Sequence, residues 1–316
     1  MQKLIGLGLI VVLLVSVPAR AGTVAYWRFE DGVAGDPLPK PFGAVDYSGN
    51  GNHLDPWTQG DWAGFAYRAD TSPATIPLTG EANTLSVKNT GGYPGMASDS
   101  AVTMPTGVDI ETMTPAAWTV EASFKPEATG WHRTIAGRDS YGAATVNPAL
   151  SALYFKIMPN DAVSVAFGDV SGYWHEATSA EGLINGFDFP TNPDGVGVAW
   201  YHMAAVSDGS SLSLYLRDTS QGTGMKLVAQ TDLTLSGSPD TAMTAGAGSG
   251  SDWHAGSWTV GRGMYDARHE DRAYGFIDEV RISDSALDVS EFLFVPEPGT
   301  LFLLGLGGLA MRRRRK

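Results

Sequence analysis

The chain has 316 residues, with 21 Lys plus Arg against 34 Asp plus Glu, a formal net charge of −13 and no cysteine. These totals exclude a disulfide scaffold and a Cys-ligated zinc or iron–sulfur site. The acidic balance argues against a nucleic-acid partner, whose phosphates need a basic surface. Apolar residues make up 43%, too many for a disordered chain.

Residues 1–21 read as a secretory signal peptide. Lys3 supplies the positive start, and Leu4 to Val17 form an apolar run of 14 residues, short of the ~20 a spanning helix needs. Ala19-Arg20-Ala21 fits the small-x-small cleavage rule, so cleavage is expected after Ala21 and the mature chain at Gly22.

From residue 22 onward the apolar pattern has period two. Strands are predicted at Thr23–Phe29 and Thr84–Lys88. Trp118-Thr119-Val120-Glu121-Ala122-Ser123-Phe124-Lys125 alternates as a half-buried strand does. Leu153, Phe155 and Ile157, then Val163, Val165 and Phe167, alternate on either side of Pro159-Asn160-Asp161, which predicts a hairpin. Tyr201–Val206 and Leu212, Leu214, Leu216 flank Ser207-Asp208-Gly209-Ser210, a second hairpin. Further strands are predicted at Met225–Gln230, Ser257–Gly261 and Tyr274–Ile282. The Gly/Ser-rich stretch 245–251 reads as a mobile loop. One short helix is predicted over Leu287–Phe292, capped by Asp284 or Ser285. Many short strands separated by Gly, Pro, Asn and Asp define an all-β, antiparallel sandwich.

The end of the chain is an address. Val295-Pro296-Glu297-Pro298-Gly299-Thr300 precedes an apolar run from Leu301 to Met311, then Arg312-Arg313-Arg314-Arg315-Lys316. Eleven helical residues rise only ~17 Å, against a hydrocarbon core of ~30 Å. The terminal cations favour the cytoplasmic face. The Pro296-Glu297-Pro298 triplet, the short apolar stretch and the basic cluster beginning at Arg312 together resemble a PEP-CTERM sorting signal. That resemblance implies an exosortase-type membrane enzyme as partner. It also implies transient inner-membrane retention, then display at or release from the surface of a Gram-negative-type bacterium. The domain plan is then 1–21 signal, 22–294 body and 295–316 sorting tail. Without both ends, 14 cations face 33 or 34 acids, a mature charge of −19 to −20.

Four pieces of the body carry a second resemblance: Val24–Asp31, Asp46–Leu54, the strand pair Trp118–Lys125 and Trp200–Val206, and Gly275–Ser283 followed by Ala286-Leu287. Together they resemble the laminin-G-like branch of the concanavalin A-like lectin/glucanase superfamily. The implied fold is a jelly-roll β-sandwich whose first and last strands lie close together.

Alternation in Phe276-Ile277-Asp278-Glu279-Val280-Arg281-Ile282 places Asp278 on the face of Phe276, Val280 and Ile282. A carboxylate on an apolar face needs a partner. One reading is a structural calcium ion, with Glu30, Asp31, Asn50 and Asn52 carried over from the resemblance as companions of Asp278. The other is that backbone N–H groups or an arginine satisfy Asp278 and the Asn/Gly loop is only a turn. The Glu-x-Asp-x-x-Glu of the glucanase branch is absent, because Phe276 and Arg281 stand where glutamates would. In the charged segment 265–272, read as a loop, Asp266, Glu270 and Asp271 offer acids, or are solvated and paired with Arg268 and Arg272. No nucleophile elbow or metalloprotease helix is present, and His202 reads as packing. Trp57, Trp62, Tyr67, Trp131, Trp174 and Trp253 lie in Gly/Asp-rich or strand-edge contexts, where a ring can stack on a sugar or simply fold a loop. Trp27, Trp118 and Trp258 read as core.

The expected function is a non-catalytic, lectin-like surface or matrix protein that binds polysaccharide or mediates adhesion. A structural matrix protein without a ligand, and a divergent polysaccharide hydrolase or lyase, stand as alternatives.

Overall fold

Alternation fixes the layers. The computed structural model describes residues 22–57, 64–92 and 94–295, with only the backbone of Trp57. In chain order the strands are β1 (Thr23–Trp27), β2 (Leu54–Trp57), β3 (Phe65–Arg68), β4 (Ser86–Asn89), β5 (Gly95–Ser98), β6 (Trp118–Lys125), β7 (Arg133–Arg138), β8 (Leu153–Ile157) and β9 (Val163–Gly168). They continue as β10 (Trp174–Thr178), β11 (Tyr201–Ser207), β12 (Ser211–Asp218), β13 (Lys226–Asp232), β14 (Trp258–Val260), β15 (Gly263–Tyr265), β16 (Arg268–Glu270) and β17 (Phe276–Ser283). On β6, Trp118, Val120, Ala122 and Phe124 enter the core. Thr119, Glu121, Ser123 and Lys125 leave by the opposite face.

Two antiparallel sheets face each other across that core, a jelly-roll sandwich. The larger runs β13-β12-β11-β6-β17-β4-β3, with β1 also paired to β17; the other runs β10-β9-β8-β7-β14-β5-β2. The first and last strands are therefore neighbours, Trp27 opposite Val280. Trp27, Trp118 and Trp258 are fully buried between the sheets. Both predicted hairpins form, β8–β9 around Asp161 in the left-handed region and β11–β12 around Gly209. In the second, the Asp208 carboxylate accepts from the Ser210 and Ser211 N–H groups at 2.7 and 2.6 Å.

Three expectations need correction. The predicted helix over Leu287–Phe292 shrinks to one 3₁₀ turn, Val289–Glu291, capped by Asp288 rather than by Asp284 or Ser285. The chain there lies along the sheet, and a wider helix would lift its apolar side chains off it. The stretch 245–251 is pinned: the Tyr141 N–H donates to Ala247 O and the Ala255 N–H to Gly248 O, at 2.8 and 2.9 Å. The charged segment 265–272 is read as a loop, yet its residues help form a small hairpin, β15–β16.

At the centre of the larger sheet the outer face is as buried as the inner one, since all eight residues of β6 are buried. Two coverings explain this. The segment around Ile76 and Leu78 packs with Tyr26, and residues 284–295 return as a strap that brings Leu293 and Phe294 into the same cluster. The strap is held by polar bonds as well. The Leu293 N–H donates to Glu121 Oε2 at 2.9 Å, Arg281 donates to Glu291 O at 2.7 Å, and Arg217 donates to Phe294 O at 2.9 Å. His202 packs, as expected: its ring stacks on Phe294 with centroids 3.7 Å apart. Burial, then the Arg217 charge, push its pKa well below the usual imidazole value.

Candidate functional site: an aromatic cleft on the second sheet

Asp278 does not face the apolar core. It pairs with Ser123 of β6, on the outer face, and the ladder then slips before Arg281 meets Glu121. Glu279 occupies this bulge with φ of 50°. The extra residue resets the alternation, so Ile277, Val280 and Ile282 enter the core while Asp278 stays outside with Phe276. Asp278 Oδ2 accepts from Asn83 Nδ2 at 2.9 Å. Asp278 Oδ1 and Asn83 Oδ1 are buried without a partner. Burial, then the Glu279 and Glu30 charges, hold the Asp278 carboxyl well above the usual carboxylate range. Burial likewise pushes Glu279 up to about 7, against Arg28 and the Tyr26 hydroxyl.

The proposed calcium companions are not brought together around Asp278. Glu30 accepts from the Thr84 and Leu85 N–H groups at 2.6 and 3.1 Å. Asp31 accepts from the Tyr47 hydroxyl at 2.7 Å. Asn52 donates to Val24 O and Val108 O, each at 2.8 Å, and Asn50 donates to Val24 O at 3.1 Å. The centre of that loop is Asp46, whose carboxylate accepts from the Tyr26, Ser48 and Asn52 N–H groups. Asp46–Asn52 is thus a hydrogen-bonded turn stapled to β1. Among the described residues no group of three or more His, Cys, Asp or Glu is placed to hold a metal. The five residues do not fit one calcium ion, which takes 6–8 oxygens.

The open site lies on the second sheet. Leu153, Phe155 and Ile157 of β8 point into the core, so Tyr154 and Lys156 point outward. Register extends that outer row: Tyr154 faces Ala166 and Lys156 faces Ser164 on β9, and Ala166 and Ser164 face Glu176 and Thr178 on β10. Trp174 meets Tyr154 edge-on at 5.9 Å. The β15–β16 hairpin leans over the row, because the Tyr154 hydroxyl donates to Met264 O and Leu150 bridges to Tyr265.

Beneath this hairpin run two adjoining cavities. One, of about 380 Å³, is lined by His132, Leu150, Tyr154, Lys156, Tyr265, Glu270 and Asp271. The other, of about 720 Å³, shares His132, Glu270 and Asp271 and continues to Glu127, Trp131, Phe189 and Tyr274. At its mouth the Trp131 indole is 78% exposed, and Tyr265 is 46% exposed.

The charges of the cleft are perturbed. Lys156 Nζ sits 4.5 Å from the centroid of the Tyr154 ring. Burial lowers its pKa, and Asp271 and Glu176 pull the other way. His132 is lowered by burial and by Lys156. At the inner end both Glu127 carboxylate oxygens are buried without a hydrogen-bond partner. Burial pushes that carboxyl up to about 7, against nearby backbone N–H groups and Arg133.

The sequence-predicted aromatics divide. Trp131 lines the larger cavity, and Trp174 meets the Tyr154 ring of the smaller cavity without itself lining it. Trp253 is 8% exposed and closes the 246–254 loop instead; a Cβ on Gly248 or Gly250 would lie 3.0 or 2.3 Å from its ring. Tyr67 is buried. Trp62, the Trp57 side chain, and the processing residues Ala21, Pro296, Glu297, Pro298 and Arg312 lie outside the described residues. His132, Tyr154, Lys156 and Glu127 were not singled out by sequence reasoning. The signal for Lys156 is a lone cation at an outward position of an otherwise apolar strand.

The fold and cleft define an antiparallel β-sandwich with an open aromatic groove on one face. Residues 294–316 match the PEP-CTERM protein-sorting motif, which marks an exported, surface-sorted protein. No curated protein sequence matches the chain. Among solved structures, the botulinum neurotoxin serotype C1 binding domain is similar at 11% identity and a TM-score of 0.43, over 85% of this chain and 50% of that one. A Ruminococcus gnavus sialidase module, CBM40 bound to α2,3-sialyllactose, is similar at 13% identity and a TM-score of 0.40, over 58% of this chain and 83% of that one. The chain spans about half the length of the toxin chain. Scores this low carry no argument about function.

Proposed function

We propose that this is an exported, non-catalytic carbohydrate-binding protein acting at the cell surface or in the extracellular polysaccharide matrix. The observation that supports it is the cleft under β15–β16, where exposed Trp131 and Tyr265 rings stand beside Lys156, His132, Glu270 and Asp271. A flat ring covers the apolar face of a pyranose, and surrounding polar groups take its hydroxyls. A glycosidase needs two carboxyl groups within reach of one bond. Glu270 and Asp271 are the carboxyl groups that line both cavities, while Glu127, whose raised pKa would suit an acid, keeps both oxygens sealed from solvent; release of reducing ends from a polysaccharide would turn the reading to a hydrolase.

The body is proposed to end where the strap ends, with processing by an exosortase-type enzyme after transient retention of the tail in the inner membrane. No helix among the described residues is long and apolar enough to cross a membrane. The test is an array of bacterial and algal polysaccharides probed with the full chain, with calcium and with chelator. Saturable binding to a narrow glycan set supports the reading. No binding by folded protein turns it to a structural matrix role.

A further inference from the structure

The cleft contains one feature that a site for neutral sugars does not require. Lys156 projects from the centre of β8 into the 380 Å³ cavity. Its ammonium rests on the Tyr154 ring and makes no ion pair or hydrogen bond with any of the described residues. Glu176 and Asp271 attract it from beyond ion-pair distance. Four buried cations elsewhere are paired: Lys125 on Asp70, Arg133 on Asp161, Arg262 on Asp139 and Arg281 on Glu121. A half-buried ammonium that has lost part of its hydration, with only a ring beneath it, is stabilised most by an anion arriving from the open side.

We propose that Lys156 is the anchor for a carboxylate-bearing sugar, so that the glycan recognised in the cleft contains a uronic or other acidic residue. This rests on the carbohydrate-binding reading above and names the ligand class. In this arrangement the carboxylate meets Lys156 Nζ between Tyr154 and Tyr265. The Trp131 ring lies along the adjoining cavity, placed for a neighbouring sugar of the chain. Glu270 and Asp271, on the rim, accept from sugar hydroxyls. They also disfavour a second carboxylate next to the first, and the mature charge of −19 to −20 works in the same direction. The geometry therefore favours a glycan with spaced acidic residues over a continuous polyanion.

The experiment uses the full chain at about 0.15 M salt, where distant charges are screened beyond ~8 Å. The probes are matched oligosaccharide pairs: uronic-acid-containing oligomers and the same oligomers with each carboxyl reduced to the alcohol. At least one acidic member should bind about tenfold or more tightly than its reduced partner, as one charge-assisted bond allows. Lys156→Met, which keeps the length and removes the charge, should abolish that preference, and a melting temperature and near-ultraviolet circular dichroism spectrum matching the parent check that the variant is folded. Lys156→Arg should keep the preference. Equal binding of both members, tighter binding of the reduced member, or a preference that survives Lys156→Met overturns the inference and leaves carbohydrate binding intact. No binding to any member of any pair overturns both.

Discussion

The strap 284–295 roots the sorting motif in the folded domain, and Phe292 tests this. Phe292 is fully buried, edge-on to Tyr215 at 5.4 Å and packed against Ala204 and Val206. Replacing a buried Phe by Ala costs ~3–5 kcal/mol. The cluster is a satellite of the main core, so the lower end, about 3 kcal/mol, is expected for Phe292→Ala. A domain of this size loses ~2–4 °C per kcal/mol, so the midpoint should fall by roughly 6–12 °C. The assay is thermal unfolding followed by near-ultraviolet circular dichroism. The matched control removes residues 296–316 and should shift the midpoint by less than about 1 °C. If Phe292→Ala melts like the parent, the strap is not docked and the tail is not rooted in the sandwich.

Two further outcomes concern buried charge. The folded pKa of Glu127, about 7, lies above its ordinary value of 4.5. The fold therefore holds an extra proton between those values, and stability falls as pH rises through them. Glu127→Gln should flatten that decline and raise stability at pH 8 by up to ~3 kcal/mol; an unchanged pH profile refutes the assignment. Among the described residues, the buried side-chain oxygens at Asp278 left without a partner are Asp278 Oδ1 and Asn83 Oδ1, too few for a calcium ion that takes 6–8 oxygens. Chelation is expected to move the melting temperature by less than about 1 °C; a larger loss, abolished by Asp278→Asn, would restore the ion.

Much of the architecture was legible where local rules suffice. β6, β8, β9, β11 and β12 show period two because one of their faces is polar, and their turns carry Asn, Asp and Gly. β2 and β5 hold only four residues each, too few to show a period, and β7 is buried throughout, so it shows no polar face. The bulge at Asp278–Glu279 misled the reading of the face because it inserts one residue without any glycine to announce it. The cleft was half legible. Trp131 stood out, but Tyr154, Lys156 and His132 matter only because register aligns β7, β8 and β10 and a short hairpin closes over them. Trp253 was less legible: nearby glycines suggested exposure, but they let its ring fold inward, where it lines a separate cavity.

The central claim is that the cleft binds sugar through its exposed ring. The direct measurement is isothermal titration of the full chain and its Trp131→Ala variant with the tightest glycan from the array. A side chain so exposed contributes little to folding, so the variant should melt with the parent while its affinity falls roughly tenfold, the ~1.4 kcal/mol scale of one ring–sugar contact. Equal affinity in the two proteins, with both folded, would contradict the account.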